Sequence, residues 1–187
     1  MITILDYGLG NIGSLKNMFK RIKQNVNITS SPSEIIKSTK IVIPGVGSFD
    51  EAMNRINNII GLREALDLKA LQHKIPILGV CLGMQGMCEF LGGKLYNQSV
   101  VKHGVKEVVQ IESGALFSGV NSEIEVGLYH SWAVDDGGDY QVVARSKNNV
   151  IMAIENRDSK FYGVQFHPES IMTTSGKHII KNFIGLL

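Results

Sequence analysis

Ile75-Pro76-Ile77-Leu78-Gly79-Val80-Cys81-Leu82-Gly83 is the stretch on which the fold turns. Ile75 to Val80 reads as a buried strand, and Leu82 to about Leu91 as the helix that follows it. Between them, Gly79, Cys81 and Gly83 have the spacing Gly-x-nucleophile-x-Gly. A reactive side chain on a sharp strand-to-helix turn needs small residues two positions away on each side, because the backbone is crowded there. Such a turn lifts the sulfur out of the sheet. It also sets the sulfur near a helix N-terminus, whose positive end favours a thiolate. The turn falls at the carboxyl edge of the strands, where open α/β sheets bind ligands. The alternative reading of Cys81 is a small buried residue in a tight turn, as free cysteines often are. Cys88, two helical turns on and without flanking glycines, reads as core packing.

Upstream, Ile2-Thr3-Ile4-Leu5 and Ile41-Val42-Ile43 read as further buried strands. Ser14 to Lys23 and most of Phe49 to Leu71 read as helical. Strands alternating with helices predict an α/β fold, a mostly parallel central sheet with helices on both faces. Downstream the chain is richer in strands: Glu107–Ile111, Glu125–Tyr129, Gln141–Ser146, Val150–Glu155 and Phe161–Gln165, with turns at Asp135-Asp136-Gly137-Gly138 and Lys147-Asn148-Asn149. These predict some antiparallel strands extending or flanking the parallel sheet. A last helix is expected from about Ser175 to Leu186.

The 187 residues suit one domain, 1–187, around one core. With 44% hydrophobic and 19% charged residues the balance is that of an ordinary soluble protein. A net charge of +2 gives no argument for nucleic acid. No apolar run approaches the roughly 20 residues of a membrane span. The first residues lack a basic start and meet Asp6 too early for a secretory signal. A cytoplasmic location and two free thiols are therefore expected.

A cysteine nucleophile needs a base, and the base needs an orienter. Of the five histidines, His167 follows an apolar strand and so falls at the sheet edge. Glu169 lies two residues on, and in extended backbone residues i and i+2 share a side. Pro168 stiffens the link. Without Cys81 upstream, His-Pro-Glu would read as a solvated turn. His73 and His178 read as helix-surface residues and His103 as lying in a loop before a strand. No pair of histidines is spaced i, i+4 on a helix and no Cys-x-x-Cys occurs, so neither a metal nor another cofactor is expected.

Pro44-Gly45-Val46-Gly47 closes the second of the buried strands. Glycines there let backbone N–H groups approach a substrate carbonyl, and acyl transfer needs two such donors on the developing oxyanion. Leu82 N–H is one candidate, and Val46 or Gly47 the other. A plain turn is the alternative reading of this loop.

Together these residues resemble a family. Pro-Gly-Val-Gly at 44–47, Gly-Val-Cys-Leu-Gly-Met-Gln at 79–85, Tyr-His-Ser-Trp at 129–132 and Gly-Val-Gln-Phe-His-Pro-Glu-Ser at 163–170 occur in that order. The pattern is similar to the class I (triad) glutamine amidotransferase domain over essentially the whole chain. The resemblance implies a Cys81–His167–Glu169 triad, a γ-glutamyl thioester and L-glutamine as substrate. It also implies that Gln85, Gly45 and the backbone around His130, Ser131 and Trp132 hold that glutamine. The first third, with Asp6-Tyr7-Gly8-Leu9-Gly10-Asn11 and Ile43 to Phe49, resembles the glutaminase subunit of imidazole glycerol phosphate synthase. The second half, with Lys102-His103-Gly104, Tyr129 to Trp132 and the tail from His167 to Lys177, resembles the glutaminases of anthranilate and aminodeoxychorismate synthases. The lean is to a chorismate-using partner. A synthase subunit that receives the ammonia directly is implied, because ammonia released into water at neutral pH becomes non-nucleophilic ammonium. The competing class is a binding module on the same fold, which would be expected to lack a triad member; all three are present.

Overall fold

The computed structural model describes residues 1–187. In chain order the elements are β1 (Ile2–Leu5), α1 (Ile12–Arg21), β2 (Asn27–Thr29), α2 (Pro32–Ile35), β3 (Lys40–Ile43), α3 (Phe49–Asn58), α4 (Leu62–Asp67), β4 (Ile77–Val80), α5 (Leu82–Phe90), β5 (Leu95–Ile111), β6 (Glu123–Val134), β7 (Gln141–Ser146), β8 (Ile151–Asn156), β9 (Phe161–Val164) and α6 (Gly176–Gly185). A π-helical turn, Leu68–Gln72, continues α4, and a 3-10 turn, Ala115–Phe117, precedes β6.

One sheet of nine strands runs β2-β1-β3-β4-β9-β8-β7-β5-β6. The five strands from β2 to β9 are parallel, and from β8 onward neighbours are antiparallel. The expected α/β architecture with an antiparallel extension is what the chain adopts. In β1, β4 and β9 every residue is buried, as a parallel strand covered on both faces requires. On one face Leu15, Met18 and Phe19 of α1 and Ile179, Ile180 and Phe183 of α6 share a core with Ile4, Val42 and Leu78. On the other, Leu62, Leu66, Leu82 and Met87 pack with Leu5, Ile41 and Ile77.

Several boundaries differ from expectation. The helical stretch 49–71 is broken at Ile59–Gly61, where Gly61 takes φ +79° and starts α4. β5 runs for 17 residues and includes His103, which therefore lies in a strand rather than a loop. Its residues from Leu95 onward are mostly exposed, so no apolar alternation marked them. β6 likewise extends past Tyr129 to Val134. The short edge strand β2 and the single turn α2 carried no periodic signal long enough to read.

The turn at Cys81 fixes how these layers meet. Cys81 takes φ +54°, ψ −107°, a sparsely populated conformation for a residue with a Cβ. A Cβ on Gly79 would lie 2.6 Å from the Gly83 carbonyl carbon, and one on Gly83 2.0 Å from the Ile43 carbonyl oxygen. Both glycines are thus set by backbone-to-backbone contact, which no side-chain movement relieves. Gly83→Ala is expected to cost about 1–3 kcal/mol, lowering Tm by several degrees. Gly13→Ala, in α1 with open space at its Cβ position, is expected to raise Tm slightly. Calorimetry of the two variants checks the pair; equal Tm values would mean that the tight approach of α5 to β3 is not a constraint.

Candidate active site

The carboxyl ends of β1, β3, β4 and β9 open into a cavity of about 820 Å³, walled on one side by β5 and β6. Cys81, Leu82, Gln85, Val46, Gly47, His130, Ser131, Trp132, His167 and Glu169 all line it. Gly45 does not line the cavity, but it contacts Leu82 directly. The sequence-predicted residues therefore converge from four separate parts of the chain.

His167 leaves β9 into a tight loop. Its backbone N–H donates to Gly127 O at 3.2 Å, and its carbonyl accepts from Thr173 Oγ1 at 2.6 Å. Thr173 Oγ1 also accepts from Gly127 N–H at 3.1 Å, so β6 and the loop hold one another. The imidazole Nδ1 lies 2.7 Å from Glu169 Oε1 with both side chains almost wholly buried. The Tyr129 ring meets the imidazole edge-on at 5.2 Å, and His103 meets Tyr129 in the same way at 5.5 Å. Nε2 has no hydrogen-bond partner. Burial works against the imidazolium, but Cys81 and Glu169 outweigh it and hold the His167 pKa up at about 10. A sulfur, an imidazole and a carboxylate gathered in one cavity are the groups that acyl transfer to a cysteine uses.

Gln85 is placed differently from a simple substrate ligand. Its amide nitrogen is committed to Trp132 O at 3.0 Å and to Gln165 Oε1 at 3.1 Å, which leaves only its oxygen to a bound molecule. The His130 imidazole is buried, with Nδ1 2.8 Å from Trp132 O and Nε2 unpartnered. Burial pushes its pKa below the usual range, against the pull of the Trp132 carbonyl. Cys88 is buried in α5, and burial pushes its thiol up to about 12, which fits core packing.

The loop after β3 turns a carbonyl, not an N–H, toward the start of α5. Leu82 N–H points at Gly45 O, 3.4 Å away. A carbonyl thus faces the donor expected to serve an oxyanion, and Val46 N–H belongs to the same peptide unit as that carbonyl. Tyr7, buried, donates from its hydroxyl to Pro44 O at 2.6 Å. Burial, with the charge of Cys81 beside it, pushes the Tyr7 phenol up to about 12. Tyr7 and Gln165 both escaped the sequence reading. For Gln165 a signal existed: it shares with His167 the side of an extended segment that is otherwise apolar.

The family model for class-I glutamine amidotransferases matches residues 3–186. The chain is 34% identical to the imidazole glycerol phosphate synthase subunit HisH of Methanococcus maripaludis, over 98% of both chains. It is 35% identical to the aminodeoxychorismate/anthranilate synthase component 2 of Bacillus subtilis, over 87% of this chain and 81% of that one. A solved Thermoplasma acidophilum protein described as a GMP synthase subunit superposes with a TM-score of 0.84 at 25% identity, covering 98% of this chain and 92% of the other. The HisH likeness spans more of the chain than the component 2 likeness, against the chorismate lean of the second-half motifs.

The raised His167 pKa has a definite sign. Its stabilising contribution is fully present below the ordinary value of 6.5 and is lost as pH rises through about 10. The imidazole signals of His167 in NMR spectra are expected to stay in the protonated position through neutral pH. Glu169→Gln should lower the midpoint, and should destabilise the fold more at pH 6 than at pH 10. A wild-type midpoint near 6.5 would break the pairing argument.

Proposed function

This chain belongs to the class-I glutamine amidotransferase family, and we propose that it is the glutaminase subunit of a two-part synthase, with Cys81 as nucleophile. The observation that carries this reading is the 2.7 Å His167–Glu169 contact set in one cavity with a cysteine on a strained strand-to-helix turn. Cys81 Sγ attacks the side-chain carbonyl carbon of glutamine, and the π electrons move to the amide oxygen. The imidazolium of His167 gives its Nε2 proton to the leaving nitrogen as the C–N bond breaks, and ammonia departs. The neutral imidazole then takes a proton from water. The resulting hydroxide cleaves the Cys81 thioester, and glutamate leaves. Glu169 keeps the imidazole oriented and stabilises its cation. The free oxygen of Gln85 suits the α-ammonium of an amino acid.

In this reading Leu82 N–H and Val46 N–H are the oxyanion donors: the first is held only by the long 3.4 Å contact with the Gly45 carbonyl, and the second is not yet in place. Rotating the Gly45–Val46 peptide withdraws the Gly45 carbonyl from Leu82 and turns Val46 N–H inward. The rotation is taken up by ψ of Gly45 and φ of Val46, with Gly47, at φ +100° and with open space around it, next in the chain. Tyr7 pins Pro44 O and confines the rotation to one peptide unit. Exposed Val46, Val101, Trp132 and Ile171 rim the cavity, an apolar mouth suited to a docked protein. The imidazole glycerol phosphate cyclase subunit is the partner we favour, because that likeness runs through the whole chain. The second reading, a chorismate-using synthase, is favoured by the Tyr129-His130-Ser131-Trp132 and His167-to-Lys177 motifs and by the component 2 relative.

The test is ammonia release from glutamine by the purified chain, alone and with either synthase. The cognate synthase is expected to raise turnover up to about 100- to 1,000-fold, the typical worth of one oxyanion donor. Cys81→Ala should abolish turnover in both states, while Cys88→Ala retains it. Ammonium salts at alkaline pH should let the synthase make product without this chain. Equal turnover with and without partner would sink the rotation; activity surviving Cys81→Ala would sink the nucleophile assignment.

A further inference from the structure

Gln165 sits between β9 and His167 and is fully buried, yet the mechanism above gives it no task. Its amide makes two contacts. Oε1 accepts from Gln85 Nε2 at 3.1 Å, and Nε2 donates to Cys81 Sγ at 3.6 Å. Which end of an amide faces which neighbour is set by what each neighbour can do. A backbone carbonyl only accepts, so the Gln85 atom at Trp132 O, 3.0 Å away, is the nitrogen. The same nitrogen faces Gln165, which must therefore present its oxygen there. Its NH₂ group is thereby turned to the sulfur. Flipping either amide breaks at least one of the three contacts.

We propose that Gln165 is a further catalytic group of this site: a preset N–H donor on the Cys81 sulfur, locked in orientation by Gln85 and the Trp132 carbonyl. A buried sulfur anion without donors is costly, and hydrogen bonds to an ionised partner are the strong ones. On the proposed reaction, the single Nε2–H of His167 must serve the sulfur and the leaving nitrogen in turn. The amide hydrogen of Gln165 is never transferred, so it stays on the sulfur when the anion attacks and when it departs from the thioester. The relay also ties the nucleophile to Trp132 at the cavity mouth. The role in turnover rests on the proposed glutaminase reading; the contact with the sulfur does not.

The test uses the whole chain and iodoacetamide, which alkylates the sulfur without needing glutamine. Cys88, buried and with its thiol pushed up to about 12, does not compete. Gln165→Met keeps length and bulk but removes the donor. Its alkylation rate at pH 7 and its glutaminase kcat are both expected to fall about 10-fold, with KM for glutamine within about twofold, the worth of one hydrogen bond to a charged group. Gln165→Glu, which sets an oxygen against the sulfur, should fall further. Gln85→Met, which removes the lock and leaves the donor, should slow alkylation about threefold and reports on the relay if neither Gln165 variant folds. Alkylation of Gln165→Met or Gln85→Met at the parental rate would overturn the proposal. So would a raised KM with unchanged kcat, the mark of a residue that only props Gln85. Slowed alkylation in a chain that never hydrolyses glutamine would reject the glutaminase reading and keep the sulfur contact.

Discussion

The site depends on one steric constraint, the backbone contact between the start of α5 and the ends of β3 and β4. Gly83 lies so close to Ile43 that a single added carbon would sit 2.0 Å from its carbonyl oxygen. That approach lets the chain turn through Cys81 in a conformation worth roughly 1–3 kcal/mol of strain, held by Cys81 N–H on Val164 O at 2.8 Å. It also draws the loop after β3 against α5. A Cβ on Gly45 would meet Leu82 and the Tyr7 hydroxyl, both at 2.7 Å. The strained turn at Cys81 and the occupied Leu82 N–H therefore have one cause.

The division of the sheet assigns the remaining tasks. β9 lies beside β4 in register, Gly79 against Gly163 and Val80 against Val164, so the segment leaving β9 emerges next to the segment leaving β4. Gln165 reaches the sulfur, and His167 and Glu169 enter the same cavity, for that reason. The 70 residues between α5 and β9 build the antiparallel strands, and β6 returns along β5 to carry His130, Ser131 and Trp132 to the cavity. The parallel half supplies the sulfur and the imidazole, and the antiparallel half supplies the wall. The sequence likeness to two different synthase subunits divides along a similar line.

The legible parts were those with dense local signals. β1, β3, β4 and β9 are short apolar runs bounded by glycine, proline or a polar residue, and the glycines around Cys81 announced the turn. Cys81, His167 and Glu169, which share the cavity, stand out in the sequence because each lies just past such a run. β5 was cut short because an exposed arm needs no apolar alternation, and with it His103 was placed in a loop. The break before α4 had a glycine to mark it, but the helical periodicity on both sides masked it. The amide relay was harder still. It joins positions 85, 132 and 165 across three elements, and only the sheet order brings them together. The glycines of Pro44-Gly45-Val46-Gly47 mark a peptide able to face either way, but no sequence pattern names Leu82 as what its carbonyl meets.

On the proposed function, the two halves of this chemistry stand at different stages of readiness, and that difference says where control of the site acts. With the His167 pKa held up at about 10, the imidazolium is already in place at neutral pH and no proton has to be drawn from solvent before attack. Gln85 donates to both Trp132 O and Gln165 Oε1, so the wall that would hold glutamine is preset as well. On that proposal, what is missing is a donor for the oxyanion, and one peptide unit accounts for it. Its restraint on the carbonyl side is a long 3.4 Å contact, weak beside the 2.6 Å Tyr7 anchor one residue earlier. Rotation there breaks little and disturbs neither the His167–Glu169 pair nor the wall. On the proposed function, a partner pressing on Val46 at the rim therefore changes kcat and leaves KM nearly untouched, since the donor it supplies acts only once charge has developed on the oxygen.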